Sequence, residues 1–124
     1  MGVQSRPFRN QRKSLQLRPE SRTRRDIRMS HYITLIRYTQ QGAAKIKESP
    51  TRLDAAKKAA EKAGGKIHAW YLTMGKYDAV IISEFPDDEA SAKFMLATGA
   101  LGNVSTQTLK AFTEAEYRKI VASL

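Results

Sequence analysis

The chain has 124 residues, 41% hydrophobic and 27% charged, which fits one globular domain with one core. It carries a formal net charge of +10 at pH 7 and no cysteine, so disulfide bonds, thiolate metal sites and thiol nucleophiles are excluded. No apolar run approaches the roughly 18 residues of a membrane span, no secretory signal opens the chain, and we expect a cytoplasmic protein.

Residues 1–29 hold nine Lys and Arg residues against two acids, so most of the net charge belongs to this segment. The segment has few apolar residues and no helical or strand periodicity, which predicts a disordered N-terminal extension. It suits an arm for nucleic acids or anionic surfaces, an organellar transit peptide, or an interaction tail. We favour an extension that the native protein lacks, because Met29-Ser30-His31-Tyr32 has the form of a natural start.

The folded domain is expected over residues 30–124. His31 to Tyr38 is β-branched and aromatic, and predicts a first strand with large apolar side chains on both faces. Ser49-Pro50 opens the first clear helix, with serine as N-cap and proline at the first helical position. Gly64-Gly65 ends this helix. Its predicted inward stripe is Leu53, Ala56, Ala60 and Ala63.

Two further strands are predicted at Lys66 to Met74 and Tyr77 to Phe85, joined by a tight turn at Gly75-Lys76. Strict alternation places His68, Trp70, Leu72 and Met74 on one face of the second strand. Pro86 ends the third strand, and Asp87 caps a second helix. The inward stripe predicted for that helix is Ala90, Phe94, Ala97 and Leu101, before Gly102-Asn103 closes it.

Val104 to Phe112 predicts a fourth strand, and a capping box of Thr113 and Glu116 opens a last helix. That helix has an apolar stripe of Tyr117, Ile120, Val121 and Leu124. The order predicts an α+β fold, a ferredoxin-like βαββαβ sandwich with a C-terminal helix. Both main helices then cover one sheet face. We therefore expect the other face to pair with a second copy in a homodimer or higher assembly, as in a dimeric α/β barrel.

Residues 31–124 resemble the GYD domain family, small bacterial proteins of the dimeric α/β-barrel group. Lys76 stands where the naming triplet has its glycine, which here lies one residue earlier. The resemblance implies a ferredoxin-like fold that associates through its sheets, and no established activity. The matching segments are Tyr38-Thr39-x-x-Gly42, Arg52 to Gly65, Gly75-x-Tyr77-Asp78, Glu84-x-Pro86-Asp87-Asp88-Glu89-Ala90, Leu101-Gly102-Asn103-Val104-x-Thr106-x-Thr108-Leu109 and Ala111-Phe112.

A looser resemblance links Gly75-x-Tyr77-Asp78 and Val104-x-Thr106-x-Thr108 to the effector domains of leucine-responsive regulators. Those domains bind amino acids at interfaces between dimers. No helix-turn-helix precedes the domain here, so this resemblance implies amino-acid binding without an attached DNA reader.

Six residues are predicted to bind a ligand, and a structural role is the alternative for each of them. Asp78 fixes the turn by binding its amides, or else orients a polar ligand or acts as a base. Tyr77 is either an aromatic residue of the core or an interface, or a proton donor. Arg37 and Glu84 are charged residues within strands. Each is either exposed to water at an end of the sheet or lies at a cavity. The full set is Gly75, Tyr77, Asp78, Glu84, Thr106 and Thr108.

His31 and His68 are the two histidines of the chain, and with a carboxylate such as Glu84 they have the chemistry of a metal or haem site. Their spacing does not select such a site over ordinary histidines. We therefore predict no metal and no cofactor.

Three hypotheses for function follow. The first is a homo-oligomer that binds a small ligand at the sheet face between subunits. The second is a cofactor-independent monooxygenase or isomerase in the same cavity, by analogy of fold, which requires a buried polar cluster including Glu84, Asp78 or His68. The third is nucleic-acid association through residues 1–29, with no nucleic-acid contact by the domain and no membrane contact.

Overall fold

The structure is a computed structural model, and it describes residues 29–124. Four antiparallel strands form one sheet in the order β2-β3-β1-β4, which confirms the predicted α+β ferredoxin-like fold. The predictions for residues 1–28 lie outside the described residues. The elements are β1 (Ser30–Tyr38), α1 (Gln40–Ala44), a 3₁₀ turn (Ile46–Glu48), α2 (Ser49–Lys62), β2 (Lys66–Leu72), β3 (Ala79–Phe85), α3 (Asp88–Ala100), β4 (Val104–Ala111) and α4 (Glu114–Ala122).

The core lies between one face of the sheet and the helices α2 and α3. Ala60 of α2 and Phe94 of α3 pack on this face, and Phe85 is fully buried beneath them. Burial alternates along β1, where Tyr32, Thr34 and Ile36 are buried and the residues between them are half-buried or exposed. The sheet therefore has one face covered by helices and one open face, as the ferredoxin-like order predicts.

The connection between β2 and β3 is longer than the predicted tight turn. β2 ends at Leu72 and β3 begins at Ala79, and Gly75, with a φ of +116°, lies in the loop between them. Thr73 N donates to Asp78 O, and the Thr73 hydroxyl donates to Tyr77 O at 2.7 Å. These bonds close a six-residue loop, so the boundaries predicted at Met74 and Tyr77 were wrong.

The segment after β1 holds helical structure that the sequence pattern did not predict. Thr39 caps α1, because its hydroxyl accepts a hydrogen bond from Gly42 N. A Cβ at Gly42 would lie 2.0 Å from Asn103 O, so only glycine fits this contact. The predicted serine cap of α2 was wrong: Ser49 lies inside the helix, and its hydroxyl oxygen is 3.3 Å from that of Tyr38.

Three predicted inward residues are exposed. Ala97 of α3 borders a cavity between α2 and α3, and the other two lie at the ends of their helices. Ala63 is the C-cap of α2, and Leu101 is the C-cap of α3 with 68% of its surface exposed. The Asp87 cap of α3 and the capping box of Thr113 and Glu116 before α4 are confirmed. In the part of the chain that the structure describes, every helix is too short or too polar to span a bilayer.

Candidate functional site

The open face has an apolar middle between two polar ends. At its centre, Ile33 of β1 lies opposite Ile82 of β3 and Leu109 of β4. Leu35 of β1 and Val80 of β3 extend this apolar row as partners in register. All but Leu109 are half-buried in the single chain, whereas 44% of Leu109 is exposed. No helix packs over these side chains within residues 29–124, so they form an apolar surface for contact with another molecule.

One polar end is a recess of about 260 Å³ beside the β2–β3 loop. The ring of Tyr77 stands in it, and the Tyr77 hydroxyl donates to Gln107 Oε1 at 2.8 Å. The Arg37 guanidinium lies 5.5 Å from the centre of that ring, and Lys76 Nζ lies 5.8 Å from it. The lining residues are Leu35, Arg37, Lys76, Tyr77, Ser105, Thr106 and Gln107.

The recess carries uncompensated positive charge. Arg37 Nε donates to Lys76 O at 3.0 Å, which holds the guanidinium over the tyrosine ring. Among the described residues, neither Arg37 nor Lys76 forms an ion pair, and no carboxylate lines the recess. Two cations beside amide and hydroxyl groups can hold an anionic group such as a carboxylate.

The other polar end brings His31, His68 and Glu84 together from three strands. His31 of β1 lies directly opposite Glu84 of β3. In β2 the register shifts between Ile67 and Ala69, so a β-bulge at His68 turns its side chain toward Glu84. The predicted shared face of His68 and Trp70 was therefore wrong, because Trp70 packs against the core on the helix-covered face.

The three side chains of this His–Glu cluster are in contact. His68 Nε2 is 2.8 Å from Glu84 Oε1, and His31 Nε2 is 3.5 Å from the same oxygen. The two imidazole rings stack with centres 6.4 Å apart and an interplanar angle of 14°. Glu116 lies close enough to His31 for their charges to interact, and the backbone N–H of Thr113 holds the pKa of Glu116 below its usual value.

The six predicted ligand residues do not form one cluster. Tyr77 lines the recess, and Gly75 lies in the same loop. Asp78 binds a strand rather than the turn amides: its Oδ2 accepts from Tyr38 N at 2.9 Å, and its own N donates to Ile36 O. The predicted turn-amide partner of Asp78 was therefore wrong. Glu84 lies at the opposite end of β3, in the His–Glu cluster.

The two threonines belong mainly to the helix-covered face. Thr106 lies opposite Ile36, and Thr108 lies opposite Thr34 with their hydroxyl oxygens 3.1 Å apart. Thr106 also borders the recess. The ligand-binding role of the six residues stays a prediction, although the structure groups them in three places.

Sequence reasoning missed Lys76 and Gln107 as recess residues and named Arg37 without placing it. The available signal was Arg37, a charge in an otherwise apolar and aromatic strand. Gln107 carries no such signal, because its position beside Tyr77 depends on the pairing of β4 with β1.

A second cavity of about 310 Å³ lies on the helix-covered side, between α2 and α3. Ala55, Ala56 and Ala59 of α2 leave room there because their side chains are short. Trp70 and Phe94 form part of its apolar wall.

Comparisons with known proteins give a family, a relative and a structural neighbour. The sequence model of the GYD domain matches residues 32–121. A Thermus thermophilus protein named "Glutamine synthetase and cystathionine beta-lyase binding protein" is 32% identical over 89 residues, covering 71% of this chain and 94% of that protein. The Mycobacterium tuberculosis leucine response regulatory protein is similar in structure, with a TM-score of 0.47 and 15% identity; the match covers 84% of this chain and 62% of that one.

Proposed function

The chain belongs to the GYD domain family, and we propose that it is a homo-oligomeric binding protein that holds a small anionic ligand at its open sheet face. The observation that carries this proposal is the recess at Tyr77, where Arg37 and Lys76 have no acidic partner among the described residues. The protein acts in the cytoplasm in this proposal.

The apolar middle of the open face suits a second copy of the chain. A row such as Ile33, Ile82 and Leu109 loses its contact with water when two such sheets stack about 10 Å apart. Burial of the surface that these side chains still expose contributes about 25 cal/mol per Å² of apolar area. Because both copies present the same surface, the contact is isologous and closes as a dimer.

The ligand in this proposal binds through a carboxylate or a similar anionic group. The guanidinium group of Arg37 uses Nε for Lys76 O and keeps its terminal N–H groups for the ligand. Lys76 supplies a second charge, and Gln107 supplies an amide beside the Tyr77 hydroxyl. Closure by the second sheet removes water and strengthens these contacts.

Isothermal titration calorimetry with amino acids, 2-oxo acids and inorganic phosphate tests the ligand. One of these probes should bind the wild-type protein, and Arg37→Gln should weaken its binding by about tenfold or more because one charged hydrogen bond is lost. Lys93→Gln is the matched control, since Lys93 pairs with Glu89 on the exposed side of α3. Equal binding by Arg37→Gln and wild type, or no binding of any probe, contradicts the proposal.

A second candidate is binding of a metabolic enzyme, as the name of the Thermus thermophilus relative describes for that protein. A surface for this exists on α4, where Tyr117, Ile120 and Val121 are exposed, and Leu124 beyond the end of the helix is exposed as well. Biolayer interferometry with purified glutamine synthetase and cystathionine beta-lyase tests it. Ile120→Lys should abolish binding, whereas Leu96→Lys on α3 should not, and equal loss in both variants would count against α4.

The two remaining hypotheses stay alternatives. A cofactor-independent oxygenase or isomerase needs a buried polar cluster including Glu84, Asp78 or His68, and here Glu84 and Asp78 are half-buried and His68 is exposed. This exposure favours binding over catalysis. Nucleic-acid association rests on residues 1–29, of which the structure describes only Met29.

A further inference from the structure

We propose that His31, His68 and Glu84 bind one divalent first-row transition-metal ion, of which Zn²⁺ is the representative. This site is independent of the proposed recess ligand, because it uses other residues at the opposite end of the open face. It also reverses the expectation of no metal that the spacing of the two histidines suggested.

The geometry is close to that of a bound ion. Each of the three residues offers one ligand atom, and these atoms all lie within 4.8 Å of one another. Metal bonds of about 2.1 Å in a tetrahedral site place ligand atoms roughly 3.4 Å apart. Side-chain rotation must therefore shorten the widest separation by at most about 1.4 Å and widen the 2.8 Å pair of His68 Nε2 and Glu84 Oε1.

The backbone positions the ligands before any ion arrives. β1, β2 and β3 are adjacent in the sheet and each supplies one ligand, so hydrogen-bonded strands hold all three. The β-bulge at His68 is what brings that imidazole to the face of Glu84. A bulge that aims one side chain into a polar cluster is a common feature beside functional sites.

The two ring nitrogens of His31 have different surroundings. His31 Nε2 faces the cluster and is 3.5 Å from Glu84 Oε1. His31 Nδ1 is buried and has no hydrogen-bond partner among the described residues. Because either nitrogen of a neutral imidazole can bind a metal, Nε2 is the ligand atom of His31 in this proposal.

The kinds of ligand atom select the class of metal. Two imidazole nitrogens and one carboxylate oxygen suit Zn²⁺, Fe²⁺, Co²⁺ and Ni²⁺, whereas Mg²⁺ and Ca²⁺ prefer oxygen ligands. Three protein ligands also leave a coordination position open for water or an anion. Lys66 pairs with Glu84 across the strands, and its positive charge repels a bound cation. The negative charge of the nearby Glu116 offsets the charge of Lys66.

The competing interpretation is an ion pair between Glu84 and a protonated histidine, which needs no metal. Zn²⁺ titration of the untagged full chain, by competition with a chromophoric indicator, separates the two. We expect one Zn²⁺ per chain, and a loss of affinity of at least about tenfold in both His68→Gln and Glu84→Gln, because each removes one ligand. Co²⁺ should give the visible absorption of a four- or five-coordinate ion.

Glu89→Gln is the matched control, because Glu89 is an exposed carboxylate on α3 that pairs only with Lys93 among the described residues. It should bind Zn²⁺ like wild type. A tenfold excess of Mg²⁺ should not displace Zn²⁺. Circular dichroism checks that His68→Gln is folded, which we expect because His68 is exposed. The proposal is overturned if the wild-type protein binds no stoichiometric Zn²⁺, or if both ligand variants bind it as tightly as Glu89→Gln.

Discussion

The hydroxyl of Tyr32 donates a hydrogen bond of 2.5 Å to Asp88 Oδ1 and so joins the central strand to the first turn of α3. Lys110 Nζ of β4 lies 3.0 Å from the same oxygen. Burial, together with the bond to Asp88, raises the pKa of Tyr32 to about 12. The Tyr32 and Lys110 hydrogen bonds in turn lower the pKa of the Asp88 carboxyl.

The Tyr32 pKa predicts a loss of stability at high pH. Tyr32 is neutral when protonated, and its pKa is raised in the folded chain from 10.0 to about 12. Its contribution to the free energy of unfolding is therefore complete below pH 10 and is lost as the pH rises through 12. Absorbance at 295 nm should show a tyrosine deprotonating near pH 12 in the wild-type protein, and Tyr32→Phe should remove that step. If the deprotonation near pH 12 persists in Tyr32→Phe, it belongs to another tyrosine and the prediction is wrong.

Asp78→Ala should destabilise the fold. The carboxylate accepts the hydrogen bond of Tyr38 N at 2.9 Å, and its removal leaves that backbone N–H without this partner. We expect a loss of about 1–3 kcal/mol in the free energy of unfolding, measured by urea denaturation. Asp54→Ala, at an exposed position on α2, is the control and should change it by less than about 0.5 kcal/mol. Equal effects would show that the Asp78 bond is unimportant.

Gly42→Ala and Gly99→Ala should shift stability in opposite directions. A methyl group at Gly42 collides with Asn103 O, so the contact between α1 and the start of β4 must open. Overpacking of this kind costs roughly 1–3 kcal/mol. At Gly99 no atom lies within 4 Å, and alanine in α3 should add up to about 1 kcal/mol. Thermal unfolding followed by circular dichroism measures both, and a stable Gly42→Ala variant would refute the close contact.

Leu35→Lys should yield a monomer if the open face is the dimer contact. The variant places a charge in the apolar middle of that face, where burial without a partner is unfavourable. Size-exclusion chromatography with light scattering should report a dimer for wild type and for Leu96→Lys, whose side chain is exposed on α3. A wild-type monomer, or a dimeric Leu35→Lys, would remove the sheet-to-sheet assembly from the proposal.

Local chemistry explains which parts of the fold were predictable. Asp87 and the Thr113–Glu116 pair cap helices through contacts within four residues. Their spacing in the sequence is therefore sufficient to predict these caps. The Thr39 cap of α1 was missed because a helix of five residues has too little periodicity to stand out. The β2–β3 loop was misplaced because its closing bonds involve Thr73, a residue with strong strand preference.

The candidate sites depended on contacts that no local pattern encodes. Arg37 and Gln107 meet at Tyr77 only because β4 pairs with β1 in one register. A shift of that register by one residue would move Gln107 to the helix-covered face. The threonines Thr106 and Thr108 show the same effect, since pairing places them opposite Ile36 and Thr34.

The sequence by itself determined the order of strands and helices and the existence of an uncovered apolar face, because hydrophobic periodicity and helix caps act over a few residues. The tertiary structure decided the meeting of His31, His68 and Glu84. These residues come from three strands, and a bulge at His68 reverses the face that simple alternation assigns to it. Strand pairing joins residues that are far apart in the sequence. One extra residue in a strand also moves each side chain after it to the opposite face of the sheet from the one that simple alternation predicts.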